Sequence, residues 1–282
     1  DRVATNSGDA YELYLRAVAM WFSVPGTNVD GEQVQRLLEQ ALHLDPQYAD
    51  AAALLSYVCT MEFAFGVSKV AACSRDNYER ALAIDPQLPE AQLARGLYEQ
   101  YVAKDLDQAM PDFEAVVRLR PNSPPAHTAL GRALRKRGRM DEALVHFQRA
   151  WELDPLSNGG SHMVLTTLAG LRRFPELLAA RRLFQQRFPS VAYARIDVAR
   201  TEGLMQHSLE PLRLALRLYG GTLAPAEHSR AEALLAREEG RYLDAAKLIA
   251  ASPVDDPDDL LERDQDLGFL YWAAGKNEES QR

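Results

Sequence analysis

The strongest constraint on this chain is a seven-residue phrase that it writes four times. QALHLDP at 40–46, RALAIDP at 80–86 and RAWELDP at 149–155 are near copies, and AVVRLRP at 115–121 is a looser one. Their prolines, Pro46, Pro86, Pro121 and Pro155, stand 40, 35 and 34 residues apart. A fixed period in this range marks stacked supersecondary units, each of which buries its apolar face only against its neighbours.

Counted back from Pro155, small and aromatic residues fall at set places: Ala150, Phe147, Ala143, Gly138 and Gly131. The same offsets give Val116, Phe113 and Ala109 before Pro121, Ala81, Tyr78 and Ser74 before Pro86, and Ala41, Leu38 and Val34 before Pro46. Each unit reads as two helices. His127, Leu130, Gly131 and Leu134 recur at helical spacing, Gly138 interrupts, and Asp141 opens a second helix with Ala143, Leu144, Phe147 and Ala150 on one face. The proline ends the unit, because it cannot continue a helix and biases the residue before it toward extended backbone. In the phrase itself, the alanine is expected to let neighbouring helices nest, and the leucine to be core. No segment alternates with period two, so the fold class is all-α.

This pattern resembles the tetratricopeptide repeat (TPR), a helix–turn–helix unit of 34 residues. HTALGRALRKRGRMDEALVHFQRAWELDP carries the resemblance, with His127 where the family often has tryptophan. It implies a right-handed superhelical solenoid of antiparallel helix pairs, lined on its inner wall by the first helix of each pair. About seven pairs and a half are expected. Residues 1–155 form four units, 156–225 degenerate repeats, and 226–282 further repeats with the last incomplete. Six extra residues fall around EFAFGVSK and one in AKDLDQ. GSHM at 160–163 sits inside the regular spacing from Pro155 to Pro189 and reads as native.

The net charge of −8 argues against a general nucleic-acid or acidic-lipid binder. Its distribution is uneven: −10 over 1–117, +8 over 118–187, 0 over 188–250 and −6 over 251–282. No apolar run approaches the roughly 20 residues that span a bilayer, so no membrane insertion is expected. Cys59 and Cys73 fall in one helix pair and read as two buried reduced thiols, since free cysteine packs as a small hydrophobe. The chain begins at Asp1 without methionine, which suggests a piece of a larger protein. The expected location is the cytoplasm, or the periplasm should a membrane segment lie upstream.

Catalytic signatures such as HExxH, CxxC, GxGxxG, GxxxxGK and GxSxG do not occur, and no enzyme activity, cofactor or metal is expected. The six histidines are scattered and read as structural or surface. The acidic run at 255–266 lacks the glycine and terminal glutamate of a calcium loop and reads as a solvated connection. The expected role is binding of a protein or peptide. On the first helices, Thr128, Arg132 and Arg135 share the face not used for packing, and with Lys136 nearby they suit an acidic segment or a carboxylate. Tyr14, Tyr57, Tyr98 and Tyr101 on the earlier first helices are candidate apolar contacts. The lysine and asparagine clamp of the best-known TPR ligand mode is not matched. Self-association and RNA binding through the basic centre are weaker options.

Residues 8–155 also resemble, more loosely, the C-terminal TPR regions of bacterial multidomain signalling proteins, where they follow a class III adenylate cyclase or a winged-helix domain. GDAYELYLRAVAMW and ALHLDPQYADAAALLS carry that likeness. It implies the alternative role of a regulatory sensor region.

Overall fold

A computed structural model describes residues 5–22, 30–64, 66, 72–156, 158–251, 270–271 and 273–275. Among them are fourteen α-helices and no strand. Twelve of them form six antiparallel pairs: α1 (Gly8–Trp21) with α2 (Gly31–Leu44), α3 (Ala49–Ala64) with α4 (Ala72–Ile84), α5 (Pro89–Tyr98) with α6 (Leu106–Leu119), α7 (Pro124–Lys136) with α8 (Met140–Leu153), α11 (Tyr193–Gln206) with α12 (Glu210–Tyr219), and α13 (Pro225–Glu238) with α14 (Tyr242–Ala250). The other two are α9 (Asn158–Gly170) and α10 (Phe174–Arg187), the latter packed on α11. The chain divides into two compact units, Asp1–Thr167 and Leu168–Arg282, with the division inside α9.

In unit 1 the repeated phrase is legible atom by atom. Its alanines are buried completely at Ala41 and Ala81 and nearly so at Ala150. Its aspartate makes the turn: Asp45 Oδ1 accepts from the Gln47 N–H at 2.9 Å and Asp85 Oδ1 from the Gln87 N–H at 3.0 Å, closing Asx turns around the proline. The leucine of RAWELDP, Leu153, is half-buried rather than core, and its counterparts Leu44 and Leu119 lie further out. Leu44 is 49% exposed and Leu119 58%, because they end their helices on the solvent side. Tyr48 and Leu88, two residues past the prolines, are buried there instead. Between the helices of a pair, ring meets glycine. A Cβ built on Gly131 would lie 2.6 Å from Phe147, and one on Gly96 2.7 Å from Phe113.

Three details of unit 1 correct or refine the sequence reading. The single extra residue before Pro121 is absorbed by a π-helical turn at Glu99–Ala103, ahead of the expected AKDLDQ, and Lys104 then ends the helix in left-handed backbone. Cys59 and Cys73 are joined as a disulfide with their Cα atoms 6.0 Å apart, so they are not two reduced thiols. Cys59 on α3 and Cys73 at the start of α4 face each other across the pair, which spacing alone does not reveal. Finally, the place of the family tryptophan is taken by a histidine pair. His127 is 7% exposed, its Nε2–H donates to the Pro121 carbonyl, and its Nδ1 lies 3.0 Å from Nδ1 of His146. The six extra residues around EFAFGVSK lie partly outside the described residues.

Unit 2 keeps the pairing with different side chains. At the place of Phe147, α10 has Arg181, whose side chain is 11% exposed. It donates to the Asp197 carbonyl at 2.7 Å and to Thr201 Oγ1, and pairs with the Asp197 carboxylate at 3.3 Å. Arg200 pairs with Glu238 at 3.2 Å. Burial pushes the Tyr193 phenol, which faces this network, up to about 12. The buried apolar cluster Ile196, Ala199, Leu212, Ala215, Ala231 and Leu234 holds α11, α12 and α13 together. GSHM lies in α9, with Ser161 and Met163 buried in unit 1. The acidic run at 255–266 and Gly268 lie outside the described residues, while Gly275 keeps its turn conformation at φ +77°.

Candidate functional site

The first helices of unit 1 meet along a continuous row of side chains. The ring of Tyr57 on α3 lies 6.2 Å from Trp21 and 6.1 Å from Phe22 at the end of α1. On the π turn that continues α5, the Tyr101 hydroxyl accepts from Arg132 of α7 at 3.3 Å, and the Lys136 ammonium sits 4.5 Å from the centre of its ring. Arg135, one turn beyond Arg132, reaches Thr166 Oγ1 of α9 at 3.5 Å. Aromatic rings thus occupy one end of the row and three cations the other.

The cations are distinctive for what they lack. Around them, Arg95 pairs with Asp112, Arg120 with Glu90, Arg137 with Asp107, Arg139 with Glu142 and Arg149 with Glu152. Among the described residues no carboxylate pairs with Arg132, Arg135 or Lys136. Burial, reinforced by the charge of Arg132 beside it, holds Arg135 below the ordinary guanidinium range. Burial raises the Tyr57 phenol, and Arg132 offsets part of that rise. Two adjacent guanidinium groups, half-buried and without a counter-charge, form a ready receptor for a carboxylate.

Four of the seven residues singled out in the sequence therefore come together: Tyr57, Tyr101, Arg132 and Arg135. Thr128 lies half-buried one turn before Arg132 on α7. Tyr14 packs on the buried Tyr48 ring at 5.2 Å. Tyr98 is only 8% exposed and packs on Tyr78 at 5.2 Å, so it is core rather than surface. Trp21, Phe22 and Thr166 were missed, although their position at the ends and faces of first helices was the available signal. Among the described residues, no group of three His, Cys, Asp or Glu is placed to hold a metal ion, and no helix is long and apolar enough to cross a membrane.

The family model described as a tetratricopeptide repeat matches residues 103–159, which contain the second helix ending before Pro121 and the whole of α7 and α8. A sequence search of curated proteins finds no match. Among solved structures, a tetratricopeptide repeat protein from Parabacteroides merdae is 12% identical with a TM-score of 0.54, covering 94% of this chain and 99% of that one. Pseudomonas aeruginosa pilF is 19% identical with a TM-score of 0.53, covering 86% and 97%. A human IFIT1 dimer with m7Gppp-AAAA is 13% identical with a TM-score of 0.59, covering 96% and 70%. At such identities the likeness is one of fold. The chain carries a tetratricopeptide repeat and has the fold of TPR proteins.

Proposed function

We propose that this chain is a non-enzymatic protein-interaction scaffold whose first-helix row in unit 1 holds a partner segment bearing a carboxylate beside apolar side chains. The observation that carries the reading is the adjacency of Arg132 and Arg135 with no carboxylate partner among the described residues, in a unit where the neighbouring arginines are paired. Trp21, Phe22, Tyr57 and Tyr101 supply the apolar contacts along the same row. A phosphate polymer is a poorer fit. The chain carries −8 overall, and nucleic-acid binding draws on many cations distributed along a backbone rather than three at one place. The complex named for the IFIT1 structure belongs to that protein. The Cys59–Cys73 bond favours an oxidising compartment over the cytoplasm, because disulfides persist there.

The test is a quantitative pull-down with the wild-type chain and an Arg132→Glu/Arg135→Glu variant. Partners should be retained by the first and lost by the second at equal melting temperature. Equal recovery by both would reduce the pair to a solvated helix face.

A further inference from the structure

Unit 2 holds a second surface whose side chains are not explained by packing. A cleft of about 540 Å³ opens between α10, α11 and α12. Its cause can be read from sequence. When α7 and α11 are aligned on the left-handed turn residues that end them, Gly138 and His207, the buried Ala126, Ala129 and Ala133 of α7 correspond to Arg195, Val198 and Glu202 of α11. Alanines let the flanking second helices close down on the first. Larger side chains at the same places leave the cleft.

Its lining is apolar in the middle and cationic in its unspent charge. Helix α12 already buries one apolar face through Leu212 and Ala215. It has another: Leu214 and Leu218, one turn apart, line the cleft and are 49% and 61% exposed. A helix with two apolar faces is expected to bury both. The carboxylates of the cleft are occupied, Glu202 by Arg182 at 2.7 Å and Glu210 by Arg213 at 2.9 Å. The arginines are not. Among the described residues neither Arg195 nor Arg217 pairs with a carboxylate, and Arg195 is held 5.2 Å over the Tyr219 ring by a cation–π contact.

We infer that this cleft is a second docking surface, independent of the row in unit 1, and that it takes an acidic amphipathic helix of a partner protein. Apolar side chains one turn apart on that helix pack against Leu214 and Leu218, as ridges of one helix pack between those of another. Glutamate or aspartate beside them meets Arg195 and Arg217. The complementarity is one-sided, because the cleft offers two arginines to a partner and no free carboxylate.

The test uses the full chain and labelled synthetic helical peptides in a fluorescence-anisotropy titration. One peptide carries two leucines one turn apart flanked by glutamates, a second has lysine for every glutamate, and a third has serine for both leucines. The glutamate peptide should bind saturably and the other two at least about tenfold more weakly. Arg195→Glu/Arg217→Glu should reverse the preference toward the lysine peptide, which a merely structural role would not do. Leu214→Ser/Leu218→Ser should weaken the glutamate peptide, and saturable binding should persist in Arg132→Glu/Arg135→Glu, which removes the row of unit 1 as a competing site. Binding lost only in the last variant would assign the peptide to unit 1 and overturn the inference. Equal binding of glutamate and lysine peptides, or no saturable binding of either, would also overturn it.

Discussion

The helices around α7 in unit 1 and around α11 in unit 2 are held by different means. In α7/α8 the register is written in volume: Gly131 receives the Phe147 ring, Ala143 and Ala150 are buried, and Gly138 makes the turn at φ +75°. Around α11 the links to α10 and α13 are polar, beside the apolar cluster it shares with α12. Arg181 bonds to Asp197 and Thr201, Arg200 pairs with Glu238, and His207 makes the turn at φ +52°. Volume coding fills the space between helices. Where α7 has alanines, Arg195, Val198 and Glu202 of α11 leave room, and the cleft of unit 2 is that room. The lesson is that a degenerate repeat need not be a failed one, since loss of the packing signature opens a surface the signature closes.

The comparison breaks most severely at the position twelve residues before the unit-ending proline, Ala143 in one region and Leu177 in the other. Leu177 is 1% exposed, so Leu177→Ala should destabilise by about 3 kcal/mol through an unfilled cavity. The converse change, Ala143→Leu, should cost about 2 kcal/mol by overpacking. Denaturant titration of both variants decides the matter, and a neutral Ala143→Leu would dissolve the register. Gly131→Ala should cost about 1–2 kcal/mol, because the new Cβ would meet the Phe147 ring. A melting temperature equal to wild type would show that the ring yields freely.

Turn residues give a smaller and opposite pair of effects. Arg172 and His207 hold left-handed backbone at φ +57° and +52°, where glycine is unstrained. Arg172→Gly should therefore stabilise by up to about 1 kcal/mol, and Gly138→Arg destabilise by about as much. Calorimetry of the two variants should show shifts of opposite sign.

The smallest effect is on the acid limb of stability. His127 donates through Nε2 to the Pro121 carbonyl, and its Nδ1 shares a hydrogen bond with Nδ1 of His146. Burial first, and His127 second, hold His146 below the ordinary imidazole value, with Glu142 acting the other way. The unfolded chain takes up its proton near pH 6.5 while the folded chain resists. Stability is thus full above about pH 6.5 and falls as pH drops below it. His146→Gln should flatten that fall in denaturant titrations from pH 7 to 5, and an unaltered slope would remove the pair from the account.

Much of unit 1 is legible without coordinates, because one proline and its small and aromatic offsets carry the register of two helices. The last leucine of the phrase deceives, since its type suggests core while its place at a helix end leaves it half-buried at Leu153 and exposed at Leu44 and Leu119. Tyr98 and Tyr101 show where legibility stops. Three residues apart on an α-helix, they share a face, but the wider π turn between them sends Tyr98 to Tyr78 and Tyr101 to Arg132. The 35-residue spacing of the prolines marks the one-residue insertion but not its place within the helix. The unpaired state of Arg132 and Arg135 was equally hidden, because it depends on which carboxylates of other helices fail to reach them.

The most direct test of the central claim is calorimetric titration of a partner segment recovered with the wild-type chain against the wild type and Arg132→Glu/Arg135→Glu. The account predicts at least about a tenfold loss of affinity in the variant, with unaltered helicity and melting temperature. Equal affinity in the two proteins would contradict it.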